Sequence, residues 1–267
     1  MREINRKISA LIITYNEIGY IERCLESVSF ADEIIVVDSY STDGTYEYLL
    51  NHPKVKVIQN PFKDFTTQKS FALEKATNNW ILFLDADEVV PKKLQNEIIA
   101  TVKTDRDYAA FWFYRKFMFQ KQRLYFSGWQ TDKNYRLFRK DKVAFSKDRI
   151  VHETLHVNGR SGILKETLVH YCYKNYNNYK NKMLQYGRLK AKEAFNKEKR
   201  FTYLHLIIKP SWKFLFNYLF RLGVLDGKKG VIICYLGALG EIERFKELRR
   251  LEKRQKLAPY LITSYTK

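Results

Sequence analysis

The stretch Trp80–Glu88, WILFLDADE, constrains the fold more than any other part of the sequence. Five apolar residues are too few for a buried helix, and they stop at three carboxylates, those of Asp85, Asp87 and Glu88. This pattern predicts a buried parallel strand that ends in acid. In open α/β sheets the ligand binds in the crevice beyond the carboxyl ends of the strands. The sequence therefore predicts a binding site at these acids.

Taken alone, the acidic pair has two interpretations. Asp85 and Asp87 offer oxygen ligands to a hard divalent cation, and magnesium shares such ligands with substrate phosphates. Alternatively, the acids precede a helix that opens at Pro91, where Glu88 favours the helix dipole. The pattern of the neighbouring strands favours the first interpretation.

The same succession of strand, polar loop and helix repeats along the first hundred residues. Strands are expected at 8–14, 33–38, 54–58 and 80–85, and helices at 18–29, 45–50, 66–77 and 91–103. This alternation predicts right-handed crossovers and a doubly wound, mostly parallel α/β sheet. Thr14, Asp38 and Asp85 would then end three strands at one edge of that sheet.

The pattern changes after residue 103. Residues 104–170 are aromatic and strand-like without intervening helices, which predicts a mixed or antiparallel extension of the sheet. From about residue 176 the chain becomes helical, basic and aromatic. We expect one domain over 1–170, with halves 1–103 and 104–170, and a helical region over 171–267. Breaks in that helical region are expected at Pro210, Gly223, Gly227 and Gly230.

Charge is divided unevenly along the chain. Residues 1–100 hold 11 Lys and Arg against 15 Asp and Glu, whereas residues 101–267 hold 37 against 14. The second part therefore suits a polyanionic partner, either nucleic acid or a membrane surface that carries acidic lipid. No helix-turn-helix, zinc finger or RNA-binding sheet motif is visible, and we expect no nucleic-acid partner.

The apolar segments of the helical region are too short or too interrupted to span a bilayer. Phe201–Phe220 alternates apolar residues with His, Lys and Asn, and Val231–Leu239 is far below the roughly 20 residues needed. Amphipathic helices lying in an anionic membrane interface are expected, with Trp212 and Phe220 among lysines and arginines. The alternative is a helical subdomain that packs its apolar face on a core. Arg244–Lys256 is expected to be a solvated helix.

Two further features bear on the compartment. The three cysteines, Cys24, Cys172 and Cys234, are far apart and lack metal-ligand spacing, so we expect free thiols in a reducing compartment. Met1 is followed by charged residues and then a strand, with no basic region leading into an apolar one. No signal peptide is expected, and we expect the protein in the cytoplasm, peripheral on the inner face of the cytoplasmic membrane.

Three motifs in order at strand ends carry a resemblance to a known family. They are Thr14-Tyr15-Asn16-Glu17, Val37-Asp38-Ser39-Tyr40-Ser41-Thr42-Asp43-Gly44-Thr45 and Leu84-Asp85-Ala86-Asp87-Glu88. With them the chain resembles the family 2 glycosyltransferases, inverting enzymes of the nucleotide-sugar-binding GT-A fold. The resemblance implies transfer of a sugar from a nucleotide diphosphate donor, such as UDP-glucose, to a saccharide acceptor.

Within that family the chain is similar to the branch that adds glucose or a related sugar to the lipopolysaccharide inner core. The shared segments are Gln68-Lys69, Gly128-Trp129, Arg136-Leu137-Phe138-Arg139-Lys140 and Val151-His152-Glu153. Ser70 and Ile18 depart from that branch, which usually has Asn and an acid there. The resemblance implies a saccharide or lipid-linked saccharide acceptor in cell-envelope glycan synthesis.

The resemblance also implies roles for individual residues around the donor. Asp87 would hold a divalent metal, Mg²⁺ or Mn²⁺, and His152 would be a further ligand of that metal. Asp85 would bind the ribose hydroxyls and Asp38 the base. The remaining residues expected around the nucleotide sugar are Thr14, Asn16, Glu17, Lys69 and Arg136, with Arg136 and Arg139 pairing with phosphate.

Inversion by single displacement needs one more carboxylate to take the proton from the acceptor hydroxyl. Asp132 and Glu153 are the two candidates, and Trp129 offers a flat face for a sugar ring. Two alternatives from other classes are a basic nucleic-acid-binding protein and a non-catalytic, membrane-associated scaffold. Intact acids at Asp38, Asp85 and Asp87 argue against the scaffold.

Overall fold

The structure, a computed structural model, describes residues 6–104, 107–119, 122–128, 132–146, 155–173 and 175–263. The chain forms two compact units. Unit 1 comprises Met1–Met118 and Thr131–Cys172, and unit 2 comprises Phe119–Gln130 and Tyr173–Lys267.

The secondary structure alternates in the first hundred residues and then separates into strands and helices. The strands are β1 (Ile8–Thr14), β2 (Glu33–Asp38), β3 (Val55–Gln59), β4 (Trp80–Asp85), β5 (Glu88–Val89), β6 (Ala110–Phe119), β7 (Gln122–Leu124), β8 (Lys133–Arg139), β9 (Val143–Phe145), β10 (Leu155–Val157), β11 (Ser161–Ile163) and β12 (Leu168–Tyr173). The helices are α1 (Ile21–Ser27), α2 (Thr45–Leu50), α3 (Phe65–Lys75), α4 (Lys92–Lys103), α5 (Tyr176–Asn196), α6 (Tyr203–Leu215) and α7 (Gly227–Thr263), with a π-helical turn at Phe216–Phe220 and 3₁₀ turns at Lys140–Lys142 and Gly223–Asp226.

The sheet of unit 1 is mixed. Strands β3, β2, β1 and β4 lie side by side and are all parallel. Strand β8 then pairs antiparallel with both β4 and β6. This confirms the expectation of a mostly parallel, doubly wound sheet with a mixed extension. The register pairs Thr14 with Asp38 and Ile13 with Asp85, so the three strand ends predicted to share one edge do so.

Alternate residues of the parallel strands build a hydrophobic layer on each face of the sheet. On one face Ile12, Val36 and Leu82 are fully buried and pack with apolar residues of α1, α2 and α4. On the other face Ile35 and Phe83 pack with residues of α3. Because both faces are covered, these strands consist of continuous apolar runs.

Unit 2 contains a long pair of helices that run in the same direction and have their own apolar contacts. Helix α5 packs on α7, where Ala191, Ala194 and Leu248 are buried together. A Cβ placed on Gly187 would lie 2.4 Å from the carbonyl oxygen of Gly240, so the two helix backbones meet where only glycine fits.

A buried carboxylate holds the segment around residues 125–127 to the helices of unit 2. Asp226 accepts hydrogen bonds from the backbone N–H groups of Tyr125 and Phe126, both at 3.0 Å, and from the hydroxyl of Ser127 at 2.7 Å. An Asp that is surrounded by donors in this way needs no counter-ion.

Three expectations about the helical region were wrong. Pro210 lies inside α6 and does not end it, because the helix continues to Leu215 and passes into the π-helical turn. Gly230 lies within α7, and close packing against Gly223 explains the glycine there. The stretch Arg244–Lys256 is not simply solvated, since Phe245 and Leu248 in it are buried.

Bilayer crossing can be assessed for the part of the chain that the structure describes. None of its helices is both long enough and apolar enough to cross a membrane.

The first prediction concerns Glu33, which links β1, β2 and the start of β4. Its Oε2 accepts from the hydroxyl of Ser9 and from both the N–H and the hydroxyl of Thr77. Burial raises the pKa of Glu33, but these hydrogen bonds to the ionised form outweigh it, and the pKa lies below its usual value. We expect Glu33→Gln to lower the free energy of unfolding by about 1–2 kcal/mol at pH 7.

The sign of the pH dependence follows from the lowered pKa. The stabilisation is fully present above the pKa of the unfolded carboxyl group and is lost as pH falls through the lower pKa of the folded state. Urea unfolding at pH 7 and near pH 3 should therefore show the difference between wild type and Glu33→Gln shrinking in acid. Exposed Glu26 on α1 supplies the control, and an equal loss in Glu26→Gln would contradict the assignment.

Candidate active site

The candidate site lies at the carboxyl edge of the parallel strands of unit 1. Thr14, Asp38 and Asp85 end β1, β2 and β4 there. The side chain of Thr14 is buried, and among the described residues nothing forms a hydrogen bond with its Oγ1. A buried hydroxyl left in this way at a strand end is suited to a ligand.

Side chains cross-link the two loops that follow β1 and β2. The N–H of Asn16 donates to the hydroxyl of Ser41 at 2.9 Å, and the N–H of Thr42 donates to Oδ1 of Asn16 at 2.8 Å. The N–H of Glu17 donates to Oγ1 of Thr45 at 3.0 Å. Asn16 and Tyr40 have positive φ values of 56° and 61°, a conformation that costs energy in residues other than glycine. These hydrogen bonds hold the strained loops in one arrangement.

Asp38 is completely buried and is engaged by the loop that follows it. Its Oδ2 accepts from the N–H of Ser41 at 3.0 Å and from Nε2 of Gln59 at 3.3 Å, and its Oδ1 accepts from the hydroxyl of Ser41. The carboxylate therefore shapes the turn between β2 and α2. Its role as an acceptor from a base stays a prediction.

Asp85 lies between two cations. Its Oδ2 accepts from Nη2 of Arg136 at 2.5 Å, and Nζ of Lys69 is 3.5 Å from its Oδ1. Burial raises the pKa of Asp85, but the charges of Arg136 and Lys69 outweigh burial and hold the pKa well below its usual range. Asp85 is therefore an ionised acceptor, and 31% of its side chain remains exposed at the edge of the sheet. A partly exposed, ionised carboxylate suits a ligand hydroxyl.

Glu88 is the centre of a buried ion network. It is fully buried, and its Oε1 lies 2.6 Å from Nη2 of Arg136 and 3.1 Å from Nη1 of Arg115. Its Oε2 accepts from the N–H of Asp85 at 3.0 Å. Arg115 also pairs with Oδ2 of Asp132 at 2.5 Å. A chain of alternating charges thus runs from Asp85 to Asp132.

This network changes the interpretation of two predicted residues. The guanidinium of Arg136 is buried and occupied by Asp85 and Glu88, so in this structure it positions the strand-end acids. Its pairing with phosphate stays a prediction. Asp132 is brought into the same network as Asp85, with 29% of its side chain exposed.

The structure brings Asp87 to a histidine that the sequence interpretation did not select. Nε2 of His170 on β12 lies 3.2 Å from Oδ2 of Asp87, because β12 pairs antiparallel with β5 and sets His170 opposite Glu88. The ring of Phe117 lies 5.0 Å from the imidazole ring, centre to centre. Burial lowers the pKa of His170, but Asp87 outweighs burial and raises the pKa well above its usual value.

The signal for His170 in the sequence was weak. Leu168-Val-His-Tyr-Cys-Tyr173 is a short, mostly apolar run that marks a strand, but no local pattern reveals that this strand pairs with β5. His152, Glu153 and Trp129 lie outside the described residues. Within the described ranges, no group of three or more His, Cys, Asp or Glu side chains is arranged to hold a metal.

The structure is an α/β fold with acids at the ends of its parallel strands, and comparison with known proteins gives the family. The model of "Glycosyl transferase family 2" matches residues 9–165, more than half of the chain. The chain therefore belongs to glycosyltransferase family 2, and its fold is GT-A.

Relatives and solved structures agree with this assignment. An uncharacterised glycosyltransferase of Rickettsia typhi is 31% identical over 261 residues, covering 92% of this chain and 88% of that protein. The lipopolysaccharide core biosynthesis glycosyltransferase LpsC of Rhizobium meliloti is 30% identical over 245 residues, covering 87% and 88%. The mannosyltransferase PcManGT of Pyrobaculum calidifontis, solved with GDP-Man and Mn²⁺, has a TM-score of 0.51 at 16% identity, covering 89% of this chain and 86% of that one. This last likeness shows the fold alone.

The second prediction tests the buried network. Glu88→Gln leaves Arg115 and Arg136 without their shared counter-charge, and breaking a buried ion pair costs about 3–5 kcal/mol. We expect a loss of that size in the free energy of unfolding, measured with urea. Glu74→Gln changes an exposed carboxylate on α3 and should cost less than about 0.5 kcal/mol. Equal stabilities of the two variants would show that Glu88 does not hold the site together.

Proposed function

We propose that this family 2 glycosyltransferase moves a sugar, with inversion, from a uridine diphosphate sugar such as UDP-glucose to a saccharide acceptor of lipopolysaccharide core or a related cell-envelope glycan. The observation that carries the proposal is the meeting of Thr14, Asp38 and Asp85 at one sheet edge, with Asp87 following directly. The likeness to LpsC, whose name states lipopolysaccharide core biosynthesis, supports the acceptor class.

In the proposed complex the nucleoside lies against the cross-linked loops after β1 and β2. Asp85, ionised and partly exposed, accepts from the ribose hydroxyls, and the unpartnered hydroxyl of Thr14 offers a donor or acceptor beside it. Tyr15 and Tyr40 are 58% and 52% exposed on these loops, and an exposed aromatic ring can stack on a base. Asn16 and Glu17 support the loops, and Lys69 keeps Asp85 ionised.

The residues around Asp87 fit a divalent cation. Carboxylate oxygen and imidazole nitrogen are both ligands of such ions, and adjacent ligands of an octahedral ion at 2.0–2.1 Å lie about 3 Å apart. Oδ2 of Asp87 and Nε2 of His170 are 3.2 Å apart. We propose that these two residues hold Mg²⁺ or Mn²⁺ and that donor phosphates and water complete the shell, with His152 as a further candidate. When bound, the ion neutralises charge that develops on the diphosphate leaving group.

Asp132 or Glu153 is the proposed base. Inversion requires a carboxylate on the face opposite the leaving group that accepts the proton of the acceptor hydroxyl. Both contacts from Arg115 reach Oδ2 of Asp132, and the pair fixes the orientation of this carboxylate. A fixed orientation favours proton transfer, because a displacement of about 1 Å can cost a factor of 100 in rate.

The proposed donor is tested with a panel of ligands. Uridine diphosphate and uridine diphosphate sugars, with Mg²⁺ or Mn²⁺, are expected to raise the thermal unfolding midpoint, since a ligand that binds only the native state stabilises it by mass action. Guanosine and adenosine diphosphates serve as comparisons. Stabilisation by none of the nucleotides would favour the non-catalytic scaffold.

The third prediction concerns the metal. Asp87→Asn and His170→Gln should each lower the metal-dependent affinity for uridine diphosphate by at least about tenfold, measured by calorimetric titration with and without Mn²⁺. Asp141→Asn, at an exposed turn, is the control and should bind as wild type does. Undiminished metal-dependent binding in Asp87→Asn would refute the metal assignment. A loss in Asp87→Asn alone would make His170 a structural partner of that aspartate.

The fourth prediction identifies the base. Replacing it should lower kcat by about 10²–10⁴-fold with little change in donor affinity, because general base catalysis acts only in the transition state. Asp132→Asn and Glu153→Gln are compared under saturating donor and acceptor. The variant in which kcat falls by this factor identifies the catalytic base. Wild-type kcat in both would assign the proton transfer to a third residue.

A further inference from the structure

Helix α6 and the turns after it carry a row of exposed apolar side chains. Leu204, Ile208, Trp212, Leu215 and Leu219 follow one another at intervals of four, four, three and four residues, the spacing of one helix face. We call these five residues and their exposed apolar neighbours the apolar stripe. The whole set is Tyr203, Leu204, Ile207, Ile208, Trp212, Leu215, Leu219 and Phe220.

The exposure of the stripe is unusual for a soluble surface. Leu204 is 65% exposed, Ile207 67% and Phe220 66%. Eight large apolar side chains exposed by about half or more add up to several hundred Å², at or above the roughly 300–600 Å² of the largest patch on a typical monomer. Phe214, Phe216 and Tyr218 of the same segment are only partly exposed. Exposed patches of this size mark interaction surfaces.

Cations outnumber acids in the segment that carries the stripe. Residues 199–240 contain seven lysines and arginines, at positions 199, 200, 209, 213, 221, 228 and 229. Asp226 is the acid of this stretch, and it is buried and occupied by donors of residues 125–127. Burial lowers the pKa of Lys213, and the charges of Lys190 and Arg221 lower it further against the opposing effect of Glu241. An apolar face bordered by an excess of cations complements an anionic lipid surface.

A second copy of this chain suits the stripe less well. An isologous contact would place the same patch of each copy face to face. Lys209, Lys213 and Arg221, which lie in the same segment as the stripe, would then approach their own copies, and like charges oppose such an association.

We propose that the apolar stripe lies in the interface of a bilayer containing acidic lipid, with α6 parallel to the membrane plane. The apolar side chains reach the acyl boundary, and Lys209, Lys213 and Arg221 meet the headgroups. The inference goes beyond the transferase activity and places the protein where a lipid-linked acceptor would be found.

Two forces with different salt dependence act at such a surface. Attraction between each cation near the surface and anionic lipid is screened within a Debye length, whereas burial of apolar side chains is insensitive to salt. Binding should therefore weaken at 0.5 M salt without disappearing, since the apolar contribution remains.

The experiment is flotation of the full chain with vesicles of phosphatidylcholine alone and with about one third phosphatidylglycerol. The wild type should float with the acidic vesicles. Leu204→Ser with Ile207→Ser, two exposed positions of the stripe, should lower partitioning by at least tenfold. The matched control replaces exposed Leu50 and Ile163 of unit 1 by Ser and should bind within twofold of wild type.

Two further readouts separate the possible outcomes. Brominated lipid should quench the fluorescence of the wild type, and Trp212→Phe should lose most of that quenching. Uridine diphosphate binding in solution should be unchanged in the stripe variant, so failure of this proposal is distinct from failure of the proposed activity. The proposal is overturned if wild type ignores acidic vesicles, if the stripe variant binds them like the control, or if that variant instead converts a dimer to a monomer.

Discussion

The ion pairs of Arg136 are the interaction on which the candidate site at the sheet edge depends. A single guanidinium bridges Asp85 at the end of β4 and fully buried Glu88, and Glu88 in turn engages Arg115 and through it Asp132. Three carboxylates this close together would repel one another and raise one another's pKa values. Cations supplied by β6, β8 and α3 allow Asp85 to stay ionised, so the acidic cluster can exist before any metal or substrate arrives.

Many strands of unit 1 could be predicted, because each parallel strand is marked by its own short run of residues. Buried parallel strands consist of continuous apolar residues, and β2 begins and ends where the pattern placed it. The shared edge of Thr14, Asp38 and Asp85 followed from strand direction alone. The pairing of strands that are distant in the sequence is not marked by any local pattern of residues. His170 and Asp87 are 83 positions apart, and only the antiparallel register of β12 and β5 brings them together.

In the helical region, the positions of helix breaks could not be predicted from the residue types alone. Proline and glycine were interpreted as breaks, yet Pro210 is accommodated in α6 and Gly230 in α7. At Gly230 the glycine permits close packing against Gly223, because a glycine can serve close approach of two backbone segments as well as a turn. The aromatic and basic composition predicted an interaction surface in this region, and α6 does carry exposed apolar side chains. Which aromatic side chains face outward depends on helix phase, and the π-helical turn at Phe216–Phe220 shifts that phase.

The cross-linked loops after β1 and β2 have a thermodynamic consequence. Fixing the backbone of one residue costs about 1–2 kcal/mol in conformational entropy. Because Ser41, Thr42 and Thr45 already tie the loop after β2 to Asn16 and Glu17, that entropy is lost when the protein folds. A ligand that binds against these loops has little backbone left to order. A ligand at these loops would therefore meet a preformed surface, and any conformational adaptation on binding would have to come from other segments of the chain.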